Sequence, residues 1–436
     1  MLEALSTRPL AATAQDHAFL AERIEDAARD VWERGREAAG EPLGLLLVGS
    51  LARGEGTVWR GAAGPFALSD VDFALVLPDE AARGRAAAVA PALARALAHR
   101  LHERGVLGGC DLGVYTPERL ARQERRPGTL EARRSGRVLF GPAELASRYP
   151  AFEERDVPPE EALVLLENRG AELLLAWPGA DAGADPRAAL VSMYAGLKAQ
   201  LDGALAFVVA TGECPATVQA RQAALERRTV EGRSEPLRAV LPDFEARVAF
   251  WSAMKLAPDA AAIALHLGVS DPEDLESLAR RAWREAARAW VAYYRVVSAR
   301  VLGVAGAGAE PPSLSRLAAH AAHRARPARR LRRWYETARA FDALEREGRA
   351  RWELRTGAAR MRLALEGAPE HELAACVAWL IGGWTDAGSV DWRPLVARVF
   401  PGRPPAGLDW ERCRAAAVRL WDSMQTGGAR TAWEGA

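Results

Sequence analysis

Residues 45–73, LLLVGSLARGEGTVWRGAAGPFALSDVDF, concentrate the residue types that handle phosphate and metal. A short apolar run leads into Gly49-Ser50. Gly49 lets an anion approach the backbone without a Cβ in the way. Ser50 offers a hydroxyl, and a helix opening over residues 51–55 would turn its free N–H groups toward that anion. The helix dipole adds about 0.3–1 kcal/mol, which helps hold a polyphosphate but does no chemistry alone. Farther along, Asp70 and Asp72 alternate with Val71 and Phe73. Both carboxylates therefore leave one face of a strand, about 5–7 Å apart. Such a pair repels unless a cation lies between, and carboxylates plus substrate phosphates are the usual ligands of magnesium. Asp111, flanked by Cys110 and Leu112, offers a third carboxylate from another strand-like segment. Three carboxylates opposite a phosphate-binding turn suit two-metal phosphoryl or nucleotidyl transfer. In that scheme Asp70 and Asp72 bridge both ions, and Asp111 holds the one that activates the acceptor.

Each residue also has a plain structural reading, with Asp70 as a cap and Asp72 on a solvated edge strand. The order of turn, doublet and third aspartate favours the chemical one. Nearby, Arg53 is placed to reach a phosphate or to be solvated, and Ser69 either orients a carboxylate or opens the strand. Arg133 and Arg134 are weaker candidates for a cleft wall.

The elements that must position these groups follow from periodicity. Residues 17–40 carry Phe19, Leu20, Ile24, Ala27, Ala28 and Val31 at helical spacing. Residues 43–48, 70–77, 110–115 and 137–140 read as strands, and 80–104 as a helix. The first part is thus mixed α/β. Beyond about residue 155 the chain turns helical, over 160–177, 187–211, 236–266 and 273–302, with connections at 178–186 and 303–312. The expected fold class is an α/β (α+β) N-terminal domain with a small mixed sheet, followed by a large all-helical C-terminal portion. Its expected divisions are 1–150, 151–305 and 306–436.

The combination of Gly49-Ser50, then Ser69-Asp70-Val71-Asp72-Phe73, then Asp111 resembles the nucleotidyltransferase superfamily related to DNA polymerase beta. The wording GSLARGEGT followed by SDVDF is most similar to the bacterial minimal and aminoglycoside-type members. The resemblance covers about residues 40–145. It implies that Gly49 and Ser50 bind the triphosphate of an NTP and that Asp70, Asp72 and Asp111 bind two Mg2+ ions. It implies a Mg-dependent transfer of an NMP to a hydroxyl or similar group, with release of pyrophosphate. The acceptor would be a small molecule or a protein. Nineteen residues separate Ser50 from Asp70, more than such enzymes usually have, and residues 58–68 read as a loop insertion on the rim. Residues 133–141 resemble the last hairpin of such domains. A different class of reading is a non-catalytic nucleotide-sensing or scaffold protein on the same fold, which the complete carboxylate triad disfavours.

In the resembling family a helical domain closes over the nucleotide, and helix 187–211 is the candidate here. Leu190, Met193, Leu197, Leu201 and Leu205 form its apolar stripe, with Tyr194, Lys198 and Asp202 along one edge. The resemblance implies a lysine to the phosphates and a carboxylate base. Lys198 matches the lysine, but Tyr194 stands where the carboxylate would be. The bland alternative is an exposed Lys198–Asp202 pair worth a few tenths of a kcal/mol.

Composition narrows the partners. The 58 Lys+Arg and 57 Asp+Glu leave a net charge of +1, which argues against a nucleic-acid footprint over the whole surface. The basic run at 320–333, with Trp334 and Tyr335 after it, reads either as a site for an acidic or nucleic-acid partner, with the aromatics stacking on bases, or as a solvated face or a match for an acidic segment of the same chain, which the neutral whole favours. Of the 58 basic residues only Lys198 and Lys255 are lysines. Four scattered cysteines, no signal-peptide pattern at the start and no apolar run near the ~20 residues of a membrane span point to a cytoplasmic chain.

Overall fold

The computed structural model describes residues 3–62, 64–178, 185–301 and 303, with Ile381, Arg414 and Val418 beyond. The expected C-terminal region over 306–436, including its basic run, otherwise lies outside the described residues. The chain opens with α1 (Glu3–Ser6) and α2 (Ala14–Ala39). Thr13 caps α2, its hydroxyl oxygen accepting from the Asp16 N–H. There follow β1 (Gly44–Val48), α3 (Gly49–Ala52), β2 (Val58–Gly61), β3 (Gly64–Ala67), β4 (Val71–Val76) and α4 (Glu80–Glu103). Then come β5 (Cys110–Tyr115), α5 (Pro117–Ala121), α6 (Pro127–Ser135) and β6 (Arg137–Phe140).

Four strands form a mixed sheet in the order β5-β4-β1-β6, with β4 and β5 parallel and the other pairs antiparallel. Strand alternation divides its side chains. Leu45, Leu47, Phe73 and Leu75 join the core that includes Leu20 and Ile24 of α2 and Leu97 of α4. Leu46, Ala74 and Val76 pack instead with Leu120 of α5, Ala132 of α6 and Tyr149. Asp72, two residues before Ala74, therefore projects on the α6 side. The small mixed sheet matches the expectation.

The helical portion comprises α7 (Glu161–Leu175), α8 (Pro186–Val209), α9 (Val218–Val230), α10 (Glu235–Arg238), α11 (Phe244–Leu256), α12 (Ala260–Leu267) and α13 (Leu275–Val301). α8 is buried on nearly every side and packs against α7, α9, α11 and α13. Trp251, Trp283 and Trp290 fill this core. The indole N–H groups of Trp283 and Trp290 donate to the carbonyls of Leu173 and Leu166, tying α13 to α7.

Three expectations need correction. Segment 236–266 is three helices, because Pro242 and Pro258 cannot continue a helical hydrogen-bond ladder. Residues 133–141 are no hairpin: they finish α6 and form β6. Residues 58–68 are no loop but the antiparallel hairpin β2–β3, with Trp59 opposite Phe66. Trp59, Phe66 and Leu68 belong to the apolar core of the helical portion. The hairpin is thus a strut that fixes the helices to the sheet, and packing does not break near residue 150. Among the described residues no helix is long and apolar enough to cross a membrane. Trp59→Ala is expected to lose about 3–5 kcal/mol in denaturant unfolding, as for other buried tryptophans. An unchanged midpoint would show that the hairpin carries no load.

Candidate active site

The end of the sheet and the helices enclose a cavity of ≈ 240 Å³. Gly49, Ser50, Arg53, Asp70, Asp72 and Lys198, all singled out from the sequence, line it. Ser69 and Asp111 are not among its lining residues. The placement of Asp72 is set by register: it pairs with Val48 across β1 and with Asp111 across the parallel β5. Partners in register share a face, so the Asp72 and Asp111 side chains leave the same side of the sheet. Asp70 sits one residue before β4 rather than within it. Gly108 makes room for it, since a Cβ there would come 2.4 Å from the Ser69 carbonyl carbon. The buried Cys110 thiol registers the three charges: burial pushes it up, and Asp72, Asp111 and Asp70 push it further.

Gly49 is required twice over. Its φ of 73° is left-handed, and a Cβ would fall 2.2 Å from Asp72 Oδ2. The turn is therefore moulded around the carboxylate as well as open to an anion. The expected helix after it is a single turn, Gly49–Ala52, because Gly54 at φ 81° redirects the chain.

Arg53 is neither solvated nor free for a phosphate. Its Nε donates to Glu55 at 2.8 Å and its Nη1 to Glu131 of α6. From there charges alternate through the cavity wall. Arg221 of α9 bonds Glu131 at 2.9 Å and Asp202 of α8 at 3.2 Å. Arg169 of α7 bonds Asp202 at 2.5 Å and Glu172. Lys198 of α8 lies 3.6 Å from Glu172 and 2.8 Å from Asp70 Oδ2. Side-chain exposure rises from 3% at Glu55 to 32% at Asp70, so the ladder opens to solvent at its Asp70 end. Burial alone would lower the pKa values of Arg53, Arg169 and Lys198. The facing carboxylates outweigh it and hold all three above their ordinary values. Burial would likewise raise Asp202, but Arg169 and Arg221 hold its carboxyl below the usual range.

The edge Tyr194, Lys198, Asp202 thus splits three ways, and the exposed Lys198–Asp202 pair does not form. Tyr194 turns to a buried polar cluster, where Lys255 of α11 donates to its hydroxyl oxygen at 2.5 Å and to Ser69 Oγ at 3.1 Å. Ser69 Oγ also accepts from the Thr57 N–H at 3.0 Å and lies 3.1 Å from the Tyr194 hydroxyl. Burial pushes the Tyr194 phenol up, but the ammonium groups of Lys255 and Lys198 prevail and hold it below its ordinary value. Arg133 and Arg134 stay out of the cavity: Arg133 donates to the carbonyls of Ser147 and Tyr149, and Arg134 pairs with Glu154.

Sequence reasoning missed Glu55, Glu131, Arg169, Arg221 and Lys255 as lining residues. Only Lys255 carried a signal, as one of two lysines. Among the described residues no three His, Cys, Asp or Glu side chains form a ready metal cage. Magnesium does not need one, since one or two carboxylates and substrate phosphates suffice. Asp70 and Asp72 meet that requirement, and the Lys198 ammonium on Asp70 marks a place where a cation is favourable. No family model, curated protein or solved structure matches the chain.

Asp202→Asn removes the charge that joins Arg169 to Arg221. Breaking a buried pair this way is expected to cost about 3–5 kcal/mol at pH 7. Because the folded carboxyl titrates below its ordinary value, its contribution is complete above the usual carboxylate range and is lost as pH falls through the folded value. Urea unfolding at pH 7 and pH 3 should therefore show the gap between wild type and variant narrowing in acid. A constant gap would contradict the charge-based role.

Proposed function

We propose that the chain is a Mg-dependent nucleotidyltransferase with a nucleotidyltransferase fold in its N-terminal part. The observation that carries this reading is the junction of Gly49-Ser50 with Asp72, beside Asp70 and under Lys198, on one cavity. A turn that accepts an anion stands directly against a pair of carboxylates that suits a cation. Chemistry on a nucleoside triphosphate needs both within one phosphate's reach. Asp70 and Asp72 would hold magnesium, with Asp111 beside them. The metal would neutralise phosphate charge and favour the deprotonated acceptor.

This chain's residues supply the rest. Ser50 and the Gly49 backbone bind the terminal phosphates, and Lys198 exchanges Asp70 for phosphate oxygen as the nucleotide enters. The acceptor hydroxyl releases its proton to solvent, its oxygen bonds to the α-phosphorus, the bond from that phosphorus to the bridging oxygen breaks, and pyrophosphate leaves. The ladder keeps α6, α7, α8 and α9 at fixed distances around the reacting groups, which is how positioning lowers a barrier. The acceptor is a small molecule or a protein.

Thermal unfolding with each of four NTPs, with and without magnesium, tests the reading. A ligand at 100 times its Kd adds about 2.7 kcal/mol to the folded state. A magnesium-dependent rise for wild type, lost in Asp72→Ala, is expected. Transfer of labelled nucleotide should fall to near zero in Asp70→Ala and Asp72→Ala. No rise with any NTP would overturn the proposal, and a rise without transfer to any acceptor would favour the nucleotide-sensing alternative.

A further inference from the structure

The chain uses arginine at 56 of its 58 basic positions, yet both of its lysines line one cavity. Their surroundings differ. Lys198 has Asp70 and Glu172 as counter-charges. Lys255 is 6% exposed, and among the described residues no carboxylate lies within ion-pair distance of its Nζ. Its partners are two hydroxyls, Ser69 Oγ at 3.1 Å and Tyr194 OH at 2.5 Å. The backbone beneath it is fixed as well, with the Lys255 carbonyl accepting from Thr57 Oγ1 at 2.8 Å. An ammonium has three N–H donors, so one remains beyond the two hydroxyls. A buried charge without a counter-charge is costly, and a fold tolerates it where something else brings the opposite charge.

We infer that Lys255, braced by Tyr194 and by Ser69 beneath it, is an oxyanion-binding subsite of the cavity, its counter-charge supplied by the ligand. The ligand group is a phosphoryl oxygen of a bound nucleotide, or a phosphate or carboxylate carried by the acceptor. A lysine serves here because a compact ammonium fits among two hydroxyls, whereas a planar guanidinium needs room for a fork. The inference deepens the proposed function by naming a second anion-binding group on the same cavity. It does not depend on nucleotidyl transfer, since it requires only an anion.

The test compares the full chain with Lys255→Met and Lys255→Gln, by calorimetry and thermal unfolding. The probes are inorganic tripolyphosphate, Mg–NTP, and inorganic phosphate added over a saturating non-hydrolysable Mg–NTP. At least one probe is expected to bind wild type ten or more times tighter than either variant. The free variants should unfold at or above the wild-type temperature, because an uncompensated buried charge has gone. A loss confined to tripolyphosphate and Mg–NTP assigns the subsite to the donor, and a loss confined to added phosphate assigns it to the acceptor. Lys255-dependent tripolyphosphate binding with no response to any NTP would retain the subsite while sinking the nucleotidyltransferase reading. Wild-type affinities for every probe in a folded variant would overturn the inference. So would free variants that unfold well below wild type with anion binding unchanged, because Lys255 would then be a structural cation.

Discussion

Nine side chains of alternating charge, from Glu55 through Arg53, Glu131, Arg221, Asp202, Arg169, Glu172 and Lys198 to Asp70, run along the cavity wall. They come from the chain after β1, from α6, α7, α8 and α9, and from the approach to β4. Pairs this sheltered add little net stability, because desolvation offsets most of the attraction. Their consequence is positional. Sliding any one helix would strand a charge on each side of it, so apolar packing chooses among arrangements by whether the ladder closes. The hairpin β2–β3 does the complementary apolar work, with Trp59 and Phe66 rooted among the helices.

Two further features of the site lie beside the ladder. One is the end of the sheet, where Asp72 and Asp111 stand in register and Gly49 folds against Asp72. The other is Lys255, held by hydroxyls. A negative focus and a positive focus on one cavity suit a ligand that itself pairs a cation with phosphates. With Asp72 and Lys255 counted, five carboxylates and five cationic side chains line the cavity, which leaves such a ligand's own charges to decide where it sits.

The local elements were legible because they obey short-range rules. Helical spacing over 17–40 became α2, and the apolar run before Gly49 became β1. Asp72 lies in β4 as the alternation with Val71 and Phe73 implied, whereas Asp70 falls one residue before the strand. Errors arose where a second segment decides the outcome. Residues 58–68, rich in glycine and alanine, look like a loop until Trp59 finds its place among helices far along the chain. Arg133 and Arg134 sit in a segment of ambiguous period, and their partners are carbonyls and a glutamate that follow α6.

By itself the sequence determined the order of elements, the glycine turn before the carboxylates and the scarcity of lysine that makes Lys198 and Lys255 stand out. These are properties of neighbouring residues, set by backbone geometry and side-chain type. Only the tertiary structure decided that Lys198 reaches Asp70, 128 residues away, and that Lys255 reaches Ser69 across 186. It alone decided that Arg53 is locked in a ladder and that Asp72 faces Asp111. Those outcomes depend on which helices pack together, and burial makes a charge's meaning depend on what encloses it.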